Sequence, residues 1–154
     1  MPIEYRWRGD IENDEMNALH AETFETRVFT GDEWDWQSLV AQHSLGWVVA
    51  RDDGRLVGFV NVIWDGSVHA WIQDTMVASG SRGKGIGTHL VQVARDEACR
   101  AGCEWLHVDF EDDLRTFYYE ACGFEPTSAG LIHLSHPGTE RPSPIATGMG
   151  ASSD

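Results

Sequence analysis

One lysine, Lys84, stands in 154 residues, and the eleven bases in total face 25 acids, for a formal net charge of −14 at pH 7. A chain so poor in bases offers no footprint for a phosphodiester backbone, which excludes nucleic acid as the expected partner. Its field suits a cationic ligand instead. Cysteine is also scarce: Cys99, Cys103 and Cys122 are odd in number and match no zinc spacing. No disulfide framework and no metal site is expected from them, and reduced thiols in a cytoplasm are. No apolar run reaches the roughly 18–20 residues that span a bilayer, so no membrane partner is expected. The opening "MPIEYRWRGD" lacks the apolar stretch of a secretory signal. What is present is 42% hydrophobic residues and seven tryptophans, in a length that suits one globular domain.

The hydrophobic periods order that domain. "PIEYRWRG" alternates as a first strand. Residues 11–25 read as a helix with Asp10 as its cap, and residues 34–43 as a second helix. "GWVVARDDGRLVGFVNVIW" is a hairpin that turns at Asp52-Asp53-Gly54-Arg55, and "SVHAWIQDTMVA" is the next strand. From Ile86 to Ala101 the apolar residues return at helical spacing, and Gly102 stops the helix. "EWLHVDF" reads as a strand, "DDLRTFYYEAC" as a short helix closed by Gly123, and "GFEPTSAGLIHLS" as a final strand or hairpin. The sum is one α/β sheet domain over residues 1–135. A Pro/Gly/Ser-rich tail without periodicity is expected over 136–154.

Between the fourth strand and its helix lies "SRGKGIGTHLV", with glycine at 83, 85 and 87 around the one lysine. It is not a P-loop, because Lys84 is followed by Gly85 and not by Ser or Thr. Nor is it a dinucleotide fingerprint, because its last glycine is spaced too closely and it follows a late strand. It still has the physics of an anion site. The first amides of a helix lack intrahelical acceptors and lie at the positive end of the dipole, and glycines let a phosphate approach them.

The stretch Arg82-Gly-Lys-Gly85-Ile-Gly87 resembles the acyl-CoA pyrophosphate loop of the GNAT superfamily of N-acetyltransferases, whose signature is Gln/Arg-x-x-Gly-x-Gly/Ala at the start of the central helix. About 30 residues on, "FYYEACGF" is similar to the family's Tyr-x-x-x-Gly-Phe segment. The resemblance covers roughly residues 3–135. It implies a mixed, mostly antiparallel central sheet, flanked by helices and splayed at the acyl-CoA site. It also implies transfer of an acetyl group from acetyl-CoA to a primary amine by direct attack, without a metal. By that likeness the backbone of Arg82, Gly83, Lys84, Gly85, Ile86, Gly87 and Thr88 holds the pyrophosphate. Met76 and Val77 pair with the pantetheine and polarise the acetyl carbonyl. Tyr119 aligns with the tyrosine that returns a proton to the departing thiolate, with Tyr118 as its neighbour. Asp74 is the first choice of general base, with Glu111 and Asp109 as competitors. Where many members carry an asparagine after the fifth strand, this chain has "FEDDLR". Homodimers are frequent in the resembling family.

"GDEWDWQ" falls in the region that resembles the family's acceptor-shaping segment. Carboxylates (Asp32, Glu33, Asp35) alternate there with indoles (Trp34, Trp36), a pattern that holds an ammonium through charge and cation–π contact. Trp64 and Trp71 are candidates for the same cleft. The expected acceptor is a small cationic amine; the alternatives are a protein or peptide amine, and a non-catalytic acyl-CoA sensor.

Overall fold

Two successive left-handed residues, Asp53 (φ 50°) and Gly54 (φ 83°), close the central hairpin of the computed structural model, which describes residues 2–135. A two-residue turn of this hand twists with the strands it joins. It sets β2 (Ser44–Asp52) against β3 (Arg55–Trp64). β1 (Glu4–Trp7) pairs with β2 and β4 (His69–Val77) with β3, all antiparallel. β5 (Trp105–His107) joins β4 in parallel, giving the order β1-β2-β3-β4-β5. The sheet is therefore mixed and mostly antiparallel.

Alternation along β3 separates the layers. Phe59 meets Trp36 of α2 (Trp36–His43) edge-on at 5.9 Å, while its neighbour Gly58 faces α3 (Ile86–Arg100) on the other side. A Cβ on Gly58 would lie 3.0 Å from both Ile86 and Leu90, so the glycine sets how closely α3 approaches the sheet. α1 (Asn13–Phe24) packs on β3 and β4. Its cap is Glu12, in a reciprocal box with Glu15, and not Asp10. Gly102 (φ 97°) ends α3 in a left-handed turn, with Cys103 N–H returning to the Ala98 carbonyl at 3.0 Å.

The chain after β5 departs from the sequence expectation. The strand expected over "EWLHVDF" is only Trp105–His107. The expected helix divides into a 3₁₀ turn (Asp112–Leu114) and a π-helix (Thr116–Ala121). No strand forms in 123–135, because an extended segment becomes a strand only when a neighbouring edge takes its hydrogen bonds. The tail expected over 136–154 lies outside the described residues.

Candidate active site

β4 carries a bulge. Phe59 opposes Met76 and Asn61 opposes Gln73, so Asp74 and Thr75 together face the single Val60. Asp74 takes the extra residue's bend at φ 56°, a left-handed conformation that aspartate and asparagine tolerate better than most side chains. β4 and β5 are paired only where His69–Trp71 meet Trp105–His107. Beyond Trp71 the two strands part, and the segment from Asp74 to Val77 has no ladder partner on its β5 side. The result is a wedge whose wall is free backbone.

At the open end of β4 the chain makes a 3₁₀ turn (Ser79–Ser81), tied to α1 by the Ser79 hydroxyl donating to Glu22 at 2.9 Å. Gly83 (φ 78°) and Gly85 (φ 76°) then take left-handed turns, and a Cβ built on either would meet nothing within 4 Å. α3 starts at Ile86 with no side-chain cap. Arg82 brings its guanidinium alongside, with Nε and one terminal nitrogen buried and without a partner. Buried guanidinium N–H groups are rarely left unmatched. A helix end with no side-chain cap, a glycine turn with room beside it and an arginine with two buried, unpartnered nitrogens together fit a diphosphate.

Burial separates the candidate bases. Asp74 is 9% exposed, and burial alone pushes its carboxyl up to about 7. Asp109 and Glu111 stand in solvent, and the Glu111 carbonyl accepts from Leu114 N–H to start the 3₁₀ turn. The two tyrosines also part company in the wide π-helix turn. Tyr119 is half-buried, edge-on to Phe110 at 5.2 Å, with the Arg115 guanidinium 5.6 Å from its ring centre. It lines a groove of 1140 Å³ beside β5, with Trp71, His107, Asp109 and Phe110. Tyr118 is fully buried and stacked on Phe110 at 4.6 Å. Burial pushes its phenol up to about 12, offset only in part by the neighbouring Thr75 of the bulge, whose own hydroxyl is buried without a hydrogen-bond partner.

The acceptor candidates do not form one cluster. Trp36 is wholly buried and its indole N–H is spent on Asn17 Oδ1 at 2.9 Å, so it belongs to the core. Asp35 caps α2, accepting from Ser38 N–H and from Asn13 at 3.0 Å each. The Glu33 carboxylate pairs with both terminal nitrogens of Arg27 and takes Thr30 N–H, which holds it down to about 2. Asp32 is exposed. Trp34 is half-buried, with its indole N–H enclosed and unpartnered. Trp64 sits opposite Ala70 at the far end of β3, five residues and so about 17 Å along the strand from Phe59. Trp71 stacks on His107 at 4.9 Å in the β5 groove. Met76 and Val77 are fully buried at the wedge.

Three features had no signal in the sequence pattern. His20 is fully buried among Phe24, Phe29 and Trp36, with neither ring nitrogen bonded, and burial pushes it down to about 4. Thr75 meets Tyr118, and Glu22 anchors the glycine loop. Each depends on contacts between distant segments. Among the described residues no cluster of three or more metal-ligand side chains occurs, and no helix is long and apolar enough to cross a membrane.

The Acetyltransferase (GNAT) family matches the chain over residues 13–124, from the start of α1 to just past the π-helix. The chain belongs to the GNAT family. The matched span contains both the glycine loop and the two tyrosines. Solved structures agree in fold. A GNAT acetyltransferase from Streptococcus pneumoniae is 21% identical, with a TM-score of 0.67 over 87% of this chain and 98% of that one. Glucosamine-6-phosphate N-acetyltransferase from Arabidopsis thaliana is 20% identical, with 0.66 over 87% and 99%. The aminoglycoside N-acetyltransferase AAC(6')-Iy, solved with a CoA-linked bisubstrate analogue, is 16% identical, with 0.70 over 88% and 99%. No curated protein matches the sequence.

Proposed function

We propose that this GNAT acetyltransferase moves an acetyl group from acetyl-CoA to the primary amine of a small cationic acceptor. The observation that carries the proposal is Asp74: a buried carboxyl with a value near 7, on the bulge where β4 leaves β5, next to a loop that fits a diphosphate. In the proposed reaction Asp74 takes a proton from the incoming ammonium, directly or through water. The amine nitrogen bonds to the thioester carbon, and the C–S bond breaks. Tyr119 gives its proton to the sulfur as free CoA leaves, the second proton that the nitrogen sheds on becoming an amide returns to the phenolate, and Asp74 releases the first to water. A base poised near neutral pH suits the first step, and a phenol suits the last.

Arg82, Gly83, Lys84, Gly85, Ile86, Gly87 and Thr88 hold the pyrophosphate in this reading, and Met76 and Val77 offer backbone to the pantetheine. With Glu33 and Asp35 bound to partners of their own, attraction for a cationic acceptor falls to Asp74, Asp32 and the chain's net charge of −14. Tyr118 is the second candidate for the acid, favoured by its contact with Thr75 beside Asp74. Cys99 and Cys103 are free thiols, as a reducing cytoplasm leaves them.

Thiol release from acetyl-CoA, measured across a panel of polyamines, amino sugars and amino-acid amides with a peptide panel beside it, tests the proposal. Turnover with small cationic amines is expected. Release with peptides alone moves the acceptor to a protein. Saturable CoA binding without turnover on either panel makes the domain a sensor.

A further inference from the structure

Among the described residues the ladder between β4 and β5 is short, and it brings two histidines together. Side chains alternate along a strand, so His69 and Trp71 share one face of β4, and Trp105 and His107 share one face of β5. The register sets His69 opposite Trp105 and Trp71 opposite His107, and the two imidazoles meet on the diagonal. His69 Nδ1 lies 2.8 Å from His107 Nε2, so a single hydrogen fits between them. Both rings are half-buried and held in place. His107 stacks on Trp71 at 4.9 Å, and the His69 backbone N–H donates to Asp65 Oδ1 at 3.1 Å. The same Asp65 oxygen accepts from Ser67 N–H at 2.8 Å, and the carboxylate charge is near enough to the His69 ring for the two to interact.

We propose that His69 and His107 form a chelating site for a divalent transition ion of the Zn²⁺ or Ni²⁺ type, which clasps β5 to β4 at the closed end of the wedge. Neutral imidazole is the commonest ligand of such ions, and here two ring nitrogens already face one another across a half-buried gap. At about 2.05 Å from a tetrahedral ion, two nitrogens stand about 3.3 Å apart, so the pair opens by about 0.5 Å to admit it. Without the ion, one ring donates its N–H to the other. On binding, that hydrogen moves to the donor ring's second nitrogen, and both facing lone pairs go to the metal. Water fills the remaining positions, and Asp65 adds a negative charge beside the site without being a ligand. Two protein ligands make this a weaker and more open site than a closed four-ligand centre. The ion takes no part in acetyl transfer: His69 is five residues from Asp74, roughly 17 Å along β4.

The test is titration of the full, reduced chain with Zn²⁺ by calorimetry, with the histidine ring nitrogens followed by NMR. One ion per chain is expected, with His69 Nδ1 and His107 Nε2 shifting together. His107→Ala leaves one imidazole and should bind about 100-fold more weakly, whereas His43→Ala, in the last turn of α2, should bind as wild type does. Saturating Zn²⁺ should raise the unfolding temperature of wild type but not of His107→Ala. Mg²⁺, which takes oxygen ligands, should leave both nitrogens unshifted. Unshifted ring nitrogens in wild type at saturating Zn²⁺ overturn the proposal, whether or not a variant folds. Binding that survives His107→Ala and is lost in Cys103→Ser overturns it too, because the ion then sits on the thiols of Cys99 and Cys103. An unfolding temperature that Zn²⁺ does not move refutes the clasp.

Discussion

Replacing Asp74 by Asn should make the protein more stable while removing its transferase activity. The side chain sits at φ 56°, which asparagine accepts as readily as aspartate, so the change isolates the charge from the backbone. Burial raises the carboxyl from 3.8 to about 7, and at about 1.36 kcal/mol per pKa unit the ionised group costs the folded state about 4 kcal/mol. The sign follows from which state holds the proton. Below the unfolded value both states are protonated and Asp74 is harmless. As pH rises from about 4 to about 7 the unfolded chain ionises first, and stability falls until the folded group ionises too. The variant should match wild type near pH 3 and exceed it by about 4 kcal/mol near pH 8, as measured by urea unfolding across that range. The same change should lower kcat/KM by about 10²–10⁴ and abolish its rise through neutral pH. A stability difference that is the same at both ends of the range would refute the buried carboxyl, and with it the poised base.

His20 acts in the opposite sense. Its folded value is pushed down from 6.5 to about 4, so wild type should lose up to about 3 kcal/mol as pH falls through that window. Denaturation of His20→Leu at the two limits should show that slope gone. Arg82→Gln should weaken CoA binding about 10- to 100-fold by calorimetry, the loss of one or two charge-assisted hydrogen bonds. Unchanged affinity would mean that the buried guanidinium serves another partner. Tyr119→Phe should lower kcat with CoA affinity unchanged, and Tyr118→Phe should leave kcat near wild type. The reverse result would move the acid to the phenol beside Thr75.

Short-range chemistry was legible in the sequence. Asp53-Gly54 sets the hairpin because only a few residues accept two left-handed positions in a row. Gly83 and Gly85 mark the turns before α3 for the same reason, and the apolar period of α3 needs no knowledge of its partners. The assignments that changed all rest on contacts between segments far apart in the chain. In "GDEWDWQ" the carboxylates and indoles were visible, but not that Arg27 takes Glu33, that Asp35 caps α2, or that Asn17 draws Trp36 into the core. Tyr118 and Tyr119 are indistinguishable as letters, and only the packing of the π-helix against Phe110 and Thr75 buries one and half-exposes the other. The Asp74 bulge is a property of pairing two strands out of step, which no single strand contains. "LIHL" has the residues of a strand, but a strand exists only with an edge to pair with. Local conformational preference and periodicity were therefore determined by the sequence alone. Burial, and through it the protonation of Asp74 and His20, was decided only when the tertiary structure removed water from around them.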